Sequence, residues 1–142
     1  MKRVLSLDVG DRRIGVAVSD ELRVTARGLF TLERTNIKAD TQKIIDTISE
    51  NDCSCAVIGL PLNLSGADSV QTEKVRLFAQ KLQNKLNSNS MQDIEVELYD
   101  ERFTTSIAEK ALKESGAGRS KQKEKIDQTA AVIILQDWLL PK

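Results

Sequence analysis

The chain has 142 residues, of which 40% are hydrophobic and 30% charged, and it carries 21 basic side chains, 21 acidic side chains and no histidine. This length and composition are typical of a globular protein, and we expect one domain over residues 1–142. Without histidine, the chain cannot contain a Ser-His-Asp or Cys-His triad, a histidine-ligated zinc site or a histidine general base. No apolar run reaches the roughly 18 residues of a membrane span, and the balanced charge predicts no general attraction to nucleic acid.

Two cysteines, Cys53 and Cys55, lie one residue apart beside an apolar run. They are too few and too close together for a disulfide framework, and a lone C-x-C is a poor zinc site. We interpret them as two buried, reduced thiols. This interpretation predicts a cytoplasmic protein.

The first half of the chain predicts three strands, a helix and a fourth strand. A tight turn at residues 10–12 joins the first two strands. Isoleucines at helical spacing predict the helix, and a nearly continuous apolar run is typical of a central strand covered on both faces. The predicted bounds are 3–9, 14–20 and 23–34 for the first three strands, 37–49 for the helix and 55–61 for the fourth strand.

The second half predicts a helix, a strand and two more helices. Asp68, followed three residues later by Gln71, resembles a capping box that opens the first of these helices. Thr104 or Thr105 can cap the next helix. The segment 116–125 is expected to be a mobile loop before the last helix. The predicted bounds are 68–86 for the first helix, 94–101 for the strand and about 122–139 for the last helix.

This order of elements predicts an α/β fold with a five-stranded mixed sheet. The first three strands form an antiparallel meander because short turns join them. The later strands are separated by helical crossovers, which require parallel pairing. We therefore expect helices on both faces of the sheet.

Acidic side chains lie where two of the predicted strands end and where the last helix begins. Asp8 ends the first strand, Asp100 and Glu101 end the fifth, and Asp127 lies in the first turns of the last helix. Each alone is most simply a turn, cap or helix-dipole residue. Converging carboxylates, however, are costly unless a cation neutralises them, and hard oxygen ligands suit Mg²⁺ or Mn²⁺. Two such ions about 4 Å apart can activate water against a phosphodiester.

Strand periodicity does not decide between Asp100 and Glu101. If the side chain of Leu98 points into the core, that of Asp100 does so too, and Glu101 lies on the other face with Tyr99. A strand that ends here can present either carboxylate.

Several cationic and amide side chains are candidates for contact with nucleic acid. Arg12 and Arg13 lie at the first turn and either contact phosphates or remain on the surface of the turn. Asn63 either reaches the substrate or hydrogen-bonds its own loop. The cationic run at 119–125 is either a solvated loop or a clamp on a nucleic-acid backbone, since it directly precedes Asp127. Its candidate contact residues are Arg119, Lys121 and Lys123.

Four motifs occur in order over nearly the whole chain. They are LDVGDRRIGVAVSD at 7–20, VIGLPLNLSG at 57–66, DERFTT at 100–105 and KIDQTAAVIILQDWL at 125–139. In this order they resemble the YqgF/RuvX family of Holliday-junction-resolvase-like proteins, also described as pre-16S rRNA nucleases, in the ribonuclease H-like superfamily. The glycine-containing first motif alone is weak, whereas the four together are highly specific.

The resemblance implies a ribonuclease H-like sheet and a phosphodiesterase site that uses Mg²⁺ or Mn²⁺. Arg102 and Thr105 match the DER-x-TT signature of the family, and we assign them to phosphate contact and helix capping. Ser65 stands where the family commonly has an acidic or amide residue, which leaves the role of loop 62–69 open. The implied catalytic and metal-binding triad is Asp8, Glu101 and Asp127.

The expected function is that of a metal-dependent endonuclease acting on structured nucleic acid, without a membrane partner, as a monomer or weak homodimer. Its substrate is either precursor rRNA, at the 5′ end of 16S rRNA during ribosome biogenesis, or branched DNA. A non-catalytic ribosome-assembly or nucleic-acid-binding factor with the same fold is the alternative, although the near-neutral charge disfavours tight unaided binding. The first motif alone also fits an actin-like or sugar-kinase-like ATP-binding module. Such a module needs two domains of this kind, however, and 142 residues cannot supply them.

Overall fold

The structure, a computed structural model, describes residues 2–100 and 119–141, and for 119–127 it describes the backbone only. Within these residues five strands form one sheet, and three helices pack against it. The strands are β1 (Arg3–Val9), β2 (Arg13–Ser19), β3 (Ala26–Glu33), β4 (Cys53–Leu60) and β5 (Glu95–Asp100). The helices are α1 (Ile37–Glu50), α2 (Val70–Ser88) and α3 (Arg119–Leu139).

The strand order in the sheet is β3-β2-β1-β4-β5. β2 pairs antiparallel with both β1 and β3, whereas β4 pairs parallel with both β1 and β5. This pairing confirms the predicted mixed sheet. Its cause is the connections, because short loops join the first three strands, and α1 and α2 lie in the connections that lead to β4 and β5.

Helices cover both faces of the sheet, as predicted. α1 and α2 pack on one face over the larger apolar cluster, to which β1 contributes Leu5, Leu7 and Val9. α3 packs on the other face over a smaller cluster, in which Val4 of β1 meets Ala131 and Ile134. Successive side chains of a strand point to opposite faces, so β1 divides its residues between the two clusters.

The cap of α2 differs from the prediction, because Ser69 and not Asp68 caps this helix. The Ser69 hydroxyl accepts a hydrogen bond from the backbone N–H of Thr72 at 3.2 Å, and the Thr72 hydroxyl accepts one from the Ser69 N–H at 2.9 Å. Thr72 also donates to the carbonyl of Pro61, which ties the cap to the end of β4. That tertiary contact favours Ser69, and Asp68 instead pairs with Arg76.

Helix α3 begins at Arg119, so the backbone of 119–125 is helical and the predicted mobile loop is wrong there. This run follows Gly118 and contains neither Gly nor Pro, and its Lys, Gln and Glu residues have high helix propensity. The helix predicted after Thr104 or Thr105 lies outside the described residues. None of the helices within 2–100 and 119–141 is both long enough and apolar enough to cross a membrane.

Candidate nuclease site

Asp8 lies near the carboxyl end of β1, the central strand of the sheet, and it is half-buried. Its cross-strand neighbour on β2 is Gly15, and the neighbour of Gly15 on β3 is Thr31. Ser6, two residues before Asp8, donates its hydroxyl to the Ala131 carbonyl of α3 at 2.7 Å. Alternation along β1 therefore places Asp8 on the face that α3 covers. Gly15 has no side chain, so the position directly across the strand pair from Asp8 carries none.

Helix α3 crosses this face and makes polar contacts with three strands. Gln128 donates its amide Nε2 to Thr31 Oγ1 on β3 at 3.0 Å, in the cross-strand row that contains Asp8. Further along the helix, Trp138 donates its Nε1 to Glu97 of β5 at 2.9 Å. The backbone of residue 127 directly precedes Gln128, while the Asp127 side chain lies outside the described residues.

The strand β5 presents alternate residues to α3. Tyr99 donates its hydroxyl to Asp137 of α3, as Glu97 accepts from Trp138 two residues earlier along the strand. Asp100 has the opposite parity and is exposed, so it lies on the other face from Asp8. The other candidates from this motif, Glu101 and Arg102, lie outside the described residues.

The turn after β1 is tight, and Gly10 is the residue that permits it. The Gly10 N–H donates to the Arg13 carbonyl at 2.8 Å. A Cβ on residue 10 would lie only 2.9 Å from that carbonyl oxygen. Glycine is therefore required here by the close approach of the two backbones, as the turn beside Asp8 suggested.

The two arginines of this turn differ in their surroundings. The guanidinium of Arg13 donates its Nε to Glu33, its cross-strand neighbour, at 2.8 Å. Arg12 is exposed, and among the described residues its side chain has no hydrogen-bond or ion-pair partner. Arg12 is therefore the more available of the two for a phosphate.

The loop that follows β4 holds Asn63 by its backbone. The Asn63 N–H donates to Ala67 at 2.9 Å, and its carbonyl accepts from Gly66 at 2.7 Å. The exposed Asn63 amide hydrogen-bonds to none of the described residues, so it does not close its own loop. The remaining cationic candidates, Arg119, Lys121 and Lys123, lie on the α3 backbone, and their side chains lie outside the described residues.

Sequence reasoning missed two residues that hold these elements in place. Arg34 donates its Nη1 to the carbonyl of Gly10 at 2.9 Å, a partner 24 residues away that no local pattern indicates. Gln128 is fixed beside Asp127 partly because Gly28 leaves room for it, since a Cβ on residue 28 would lie 2.9 Å from Gln128 Oε1. The adjacency of Gln128 to Asp127 in the fourth motif was the available signal.

The sheet order and the helix across the face that carries Asp8 define a fold that solved resolvases share. The chain is similar to Thermus thermophilus RuvC in complex with its Holliday junction substrate, with a TM-score of 0.59 and 14% identity over 94% of this chain and 92% of that one. It is also similar to the yeast mitochondrial Holliday junction resolvase, with a TM-score of 0.61 and 10% identity over 97% of this chain and 78% of that one. These similarities confirm the ribonuclease H-like fold.

The family follows from closer matches. The model of the RuvX family, described as Holliday junction resolvase, matches residues 2–140. A relative from Myxococcus xanthus is 42% identical over 137 residues, which are 96% of this chain and 87% of the relative. One from Koribacter versatilis is 45% identical and covers 96% and 86%. Both bear the name "Putative pre-16S rRNA nuclease". This chain belongs to the RuvX family, and the expectation of a nuclease is confirmed.

Proposed function

We propose that this protein is a divalent-metal-dependent endonuclease whose substrate is precursor 16S rRNA. The observation that carries the proposal is Asp8, which lies at the carboxyl end of the central strand on the α3 side, in a chain of the RuvX family. The relatives named for precursor 16S rRNA are 42% and 45% identical, whereas the junction-binding Thermus structure is 14% identical. This difference favours RNA over branched DNA.

The packing of α3 supports Asp127 as a partner of Asp8. Gln128, the next residue along the helix, contacts the cross-strand row of Asp8 through Thr31. Ala131, one helical turn after Asp127, accepts a hydrogen bond from Ser6. Ser6 lies two residues before Asp8 on the same face of β1. These two contacts place residues 128–131 of α3 against the part of the sheet that contains Asp8.

The alternation of β5 supports Glu101 over Asp100 as the third acid. Glu97 and Tyr99 contact α3, and residue 101 has the parity of these two residues. Asp100 has the other parity and is exposed. Our proposal therefore takes Glu101, and not Asp100, as the third acid.

The donor set suits a divalent cation. Asp8, Glu101 and Asp127 would supply hard carboxylate oxygens, which suit Mg²⁺ or Mn²⁺, and the chain has no histidine to attract softer metals. Among the residues whose side chains are described, no other trio of acidic, cysteine or histidine side chains forms a competing site. When bound, such an ion lowers the pKa of water and neutralises charge that develops on the phosphodiester.

The chain itself would bind and orient the nucleic acid. Arg12, exposed at the turn after β1, would contact a phosphate next to the scissile bond. Asn63 would present its exposed amide, on the loop after β4, as a hydrogen-bond donor and acceptor. Arg102, Arg119, Lys121 and Lys123 complete the proposed contacts, with Arg13 beside Glu33. We further propose a single domain over 1–142, a cytoplasmic location and a monomer or weak homodimer.

A cleavage assay tests this function. Precursor 16S rRNA with its 5′ extension and a four-way DNA junction are each incubated with Mg²⁺ or Mn²⁺ and with wild type, Asp8→Asn or Asp11→Asn. Asp11 is a matched control, because it lies three residues from Asp8 but is exposed and pairs with Lys74. We expect metal-dependent cleavage of the rRNA that Asp8→Asn lowers by more than about 100-fold, since loss of residues that merely support metal ligands already costs about 10–100-fold.

The outcomes separate the hypotheses. Full activity of Asp8→Asn would contradict the proposed site. Cleavage of the junction but not of the rRNA would overturn the substrate and keep the chemistry. Tight rRNA binding without any cleavage would instead favour the non-catalytic assembly factor.

A further inference from the structure

Arg34, just after β3, is bonded to both ends of the turn that follows Asp8. Its Nη1 donates to the Gly10 carbonyl at 2.9 Å, and its backbone N–H donates to the Arg12 carbonyl at 2.9 Å. The turn between β1 and β2 is thereby attached to the end of β3.

The guanidinium of Arg34 is itself held in place on two sides. Its Nε donates to Asp40 Oδ2 at 3.0 Å, and its plane lies over the ring of Phe78, with the central carbon 5.3 Å from the ring centroid. Asp40 is 2% exposed, and its other oxygen accepts from the Thr35 N–H at 3.1 Å. A planar, permanently charged fork can satisfy the acid, the carbonyl and the ring together, whereas a lysine ammonium cannot keep this geometry.

The side-chain contacts that α2 makes to this turn are weaker. Lys74 pairs with Asp11 at 3.2 Å, but both side chains are more than half exposed, so the pair is screened by water. Gln71 reaches the Val9 carbonyl at 3.4 Å, near the limit of a hydrogen bond. Arg34 therefore anchors the turn more firmly than Lys74 or Gln71 does.

We propose that Arg34 is a positioning residue that holds the carboxylate of Asp8 in the geometry needed for metal binding and cleavage. Asp8 lies two residues before the carbonyl that Arg34 binds, on the strand that leads directly into the turn. A displacement of about 1 Å at a reacting group can cost about 100-fold in rate. This inference rests on the proposed nuclease site and adds to it a residue that does not touch the substrate.

The test uses a charge-balanced double variant, Arg34→Leu with Asp40→Asn. Removing Arg34 alone would leave a buried, unpaired carboxylate, whereas removing both partners of a buried pair is far better tolerated. The matched control is Arg76→Leu with Asp68→Asn, which removes an exposed arginine–aspartate pair that does not contact the turn. Mn²⁺ affinity is measured by electron paramagnetic resonance without nucleic acid, beside kcat, KM and hydrogen exchange of the turn.

For the Arg34 double variant we expect Mn²⁺ affinity and kcat to fall by about 10–100-fold, the range for supporting residues of a metal site. KM for the nucleic acid stays within about twofold, because Arg34 does not contact it, and the Gly10 amide exchanges faster. The control variant keeps wild-type values. A folded double variant with wild-type Mn²⁺ affinity and kcat would overturn the proposal.

A second variant covers failure of the double variant to fold. Arg34→Lys keeps the positive charge beside Asp40 but loses the fork that also reaches Gly10. We expect it to fold and to lose Mn²⁺ affinity, and wild-type affinity would overturn the role of Arg34. If wild type binds no Mn²⁺ and cleaves nothing, the nuclease proposal itself fails, while exchange at Gly10 still reports the clamp.

Discussion

The two faces of the sheet are built differently, and β1 shows the difference within seven residues. Towards α1 and α2 it presents Leu5, Leu7 and Val9, all buried in hydrocarbon. Towards α3 it presents Val4, Ser6 and Asp8, which become more polar along the strand. The face towards α1 and α2 buries apolar side chains, whereas the face towards α3 also makes hydrogen bonds that determine where this helix lies.

The difference follows from the kinds of force involved. Burial of apolar surface is large but non-directional, so the α1/α2 face stabilises the fold without setting its details. A hydrogen bond contributes only about 1 kcal/mol net, but it is directional. The polar contacts that place the described part of α3 on its face include those between Thr31 and Gln128, Ser6 and Ala131, Tyr99 and Asp137, and Glu97 and Trp138.

The largest expected effect is on the apolar face. Leu82→Ala removes a fully buried side chain of α2, and we expect the free energy of unfolding to fall by about 2–5 kcal/mol. Urea unfolding measures this loss. Activity per folded molecule should stay at the wild-type value because α2 contributes none of the proposed ligands. Lost activity in a fully folded variant would show that packing on the α1/α2 face also affects the proposed site.

The next prediction separates the position of α3 on the sheet from the stability of the fold. Ser6→Ala removes the hydrogen bond to Ala131, and Ser19→Ala removes a buried bond from the Val4 N–H that does not involve α3. We expect each to lower the free energy of unfolding by about 1–3 kcal/mol. Only Ser6→Ala should also weaken Mn²⁺ binding, by about 10-fold. Equal Mn²⁺ affinities in the two variants would contradict the idea that the contact between Ser6 and Ala131 positions α3 for metal binding.

A smaller effect should depend on pH. Burial, together with the hydrogen bond to Asp137, raises the pKa of Tyr99 to about 12 from its usual 10. The folded state thus holds the phenol proton more tightly, so this stabilisation is complete below about pH 10 and is lost as the pH rises towards 12. We expect Tyr99→Phe to lose about 0.5–1.5 kcal/mol at pH 7.

Unfolding curves of wild type and Tyr99→Phe between pH 7 and pH 12 measure this dependence. The two should converge above pH 10. A difference that is constant up to pH 12 would show that the Tyr99 hydroxyl does not make the contact with Asp137.

The smallest effect compares the two faces through the cysteines. Cys53 belongs to the α1/α2 cluster and Cys55 to the α3 cluster. Burial raises the pKa of the Cys53 thiol to about 11 and that of Cys55 to about 12. We expect both to resist iodoacetamide at pH 8 in the native protein.

Low urea then distinguishes them. The smaller α3 cluster should open first, so Cys55 should be alkylated before Cys53 in a residue-resolved mass-spectrometric experiment. Earlier alkylation of Cys53 would show that the α1/α2 cluster opens before the α3 cluster.

The sequence predicted what local connections determine. The mixed sheet followed from short turns before β3 and helical connections after it, and Asp8 followed from the end of an apolar run. The prediction of Asp68 as the cap of α2 was wrong, because the contact of Thr72 with Pro61 that favours Ser69 is a tertiary one.

Tertiary contacts explain what the sequence could not predict. Arg34 and Gly10 are 24 residues apart, and Gln128 and Thr31 are 97 apart, so neither pair leaves a local pattern. The face of Asp100 depended on which strand residues meet α3. The pairing of Asp8 with Gly15 depends on the register of the hairpin between β1 and β2. Turn-forming residues in the sequence locate the turn but do not determine this register.

The contact between Ser6 and Ala131 spans 125 residues of chain, and this separation has a consequence during translation. Synthesis proceeds at roughly 5–20 residues per second from the N-terminus, so β1 leaves the ribosome well before α3 exists. The proposed acids cannot gather until the last helix has emerged and docked. If the proposed acids form the site, a nascent chain therefore cannot cut RNA before α3 has emerged and docked against β1.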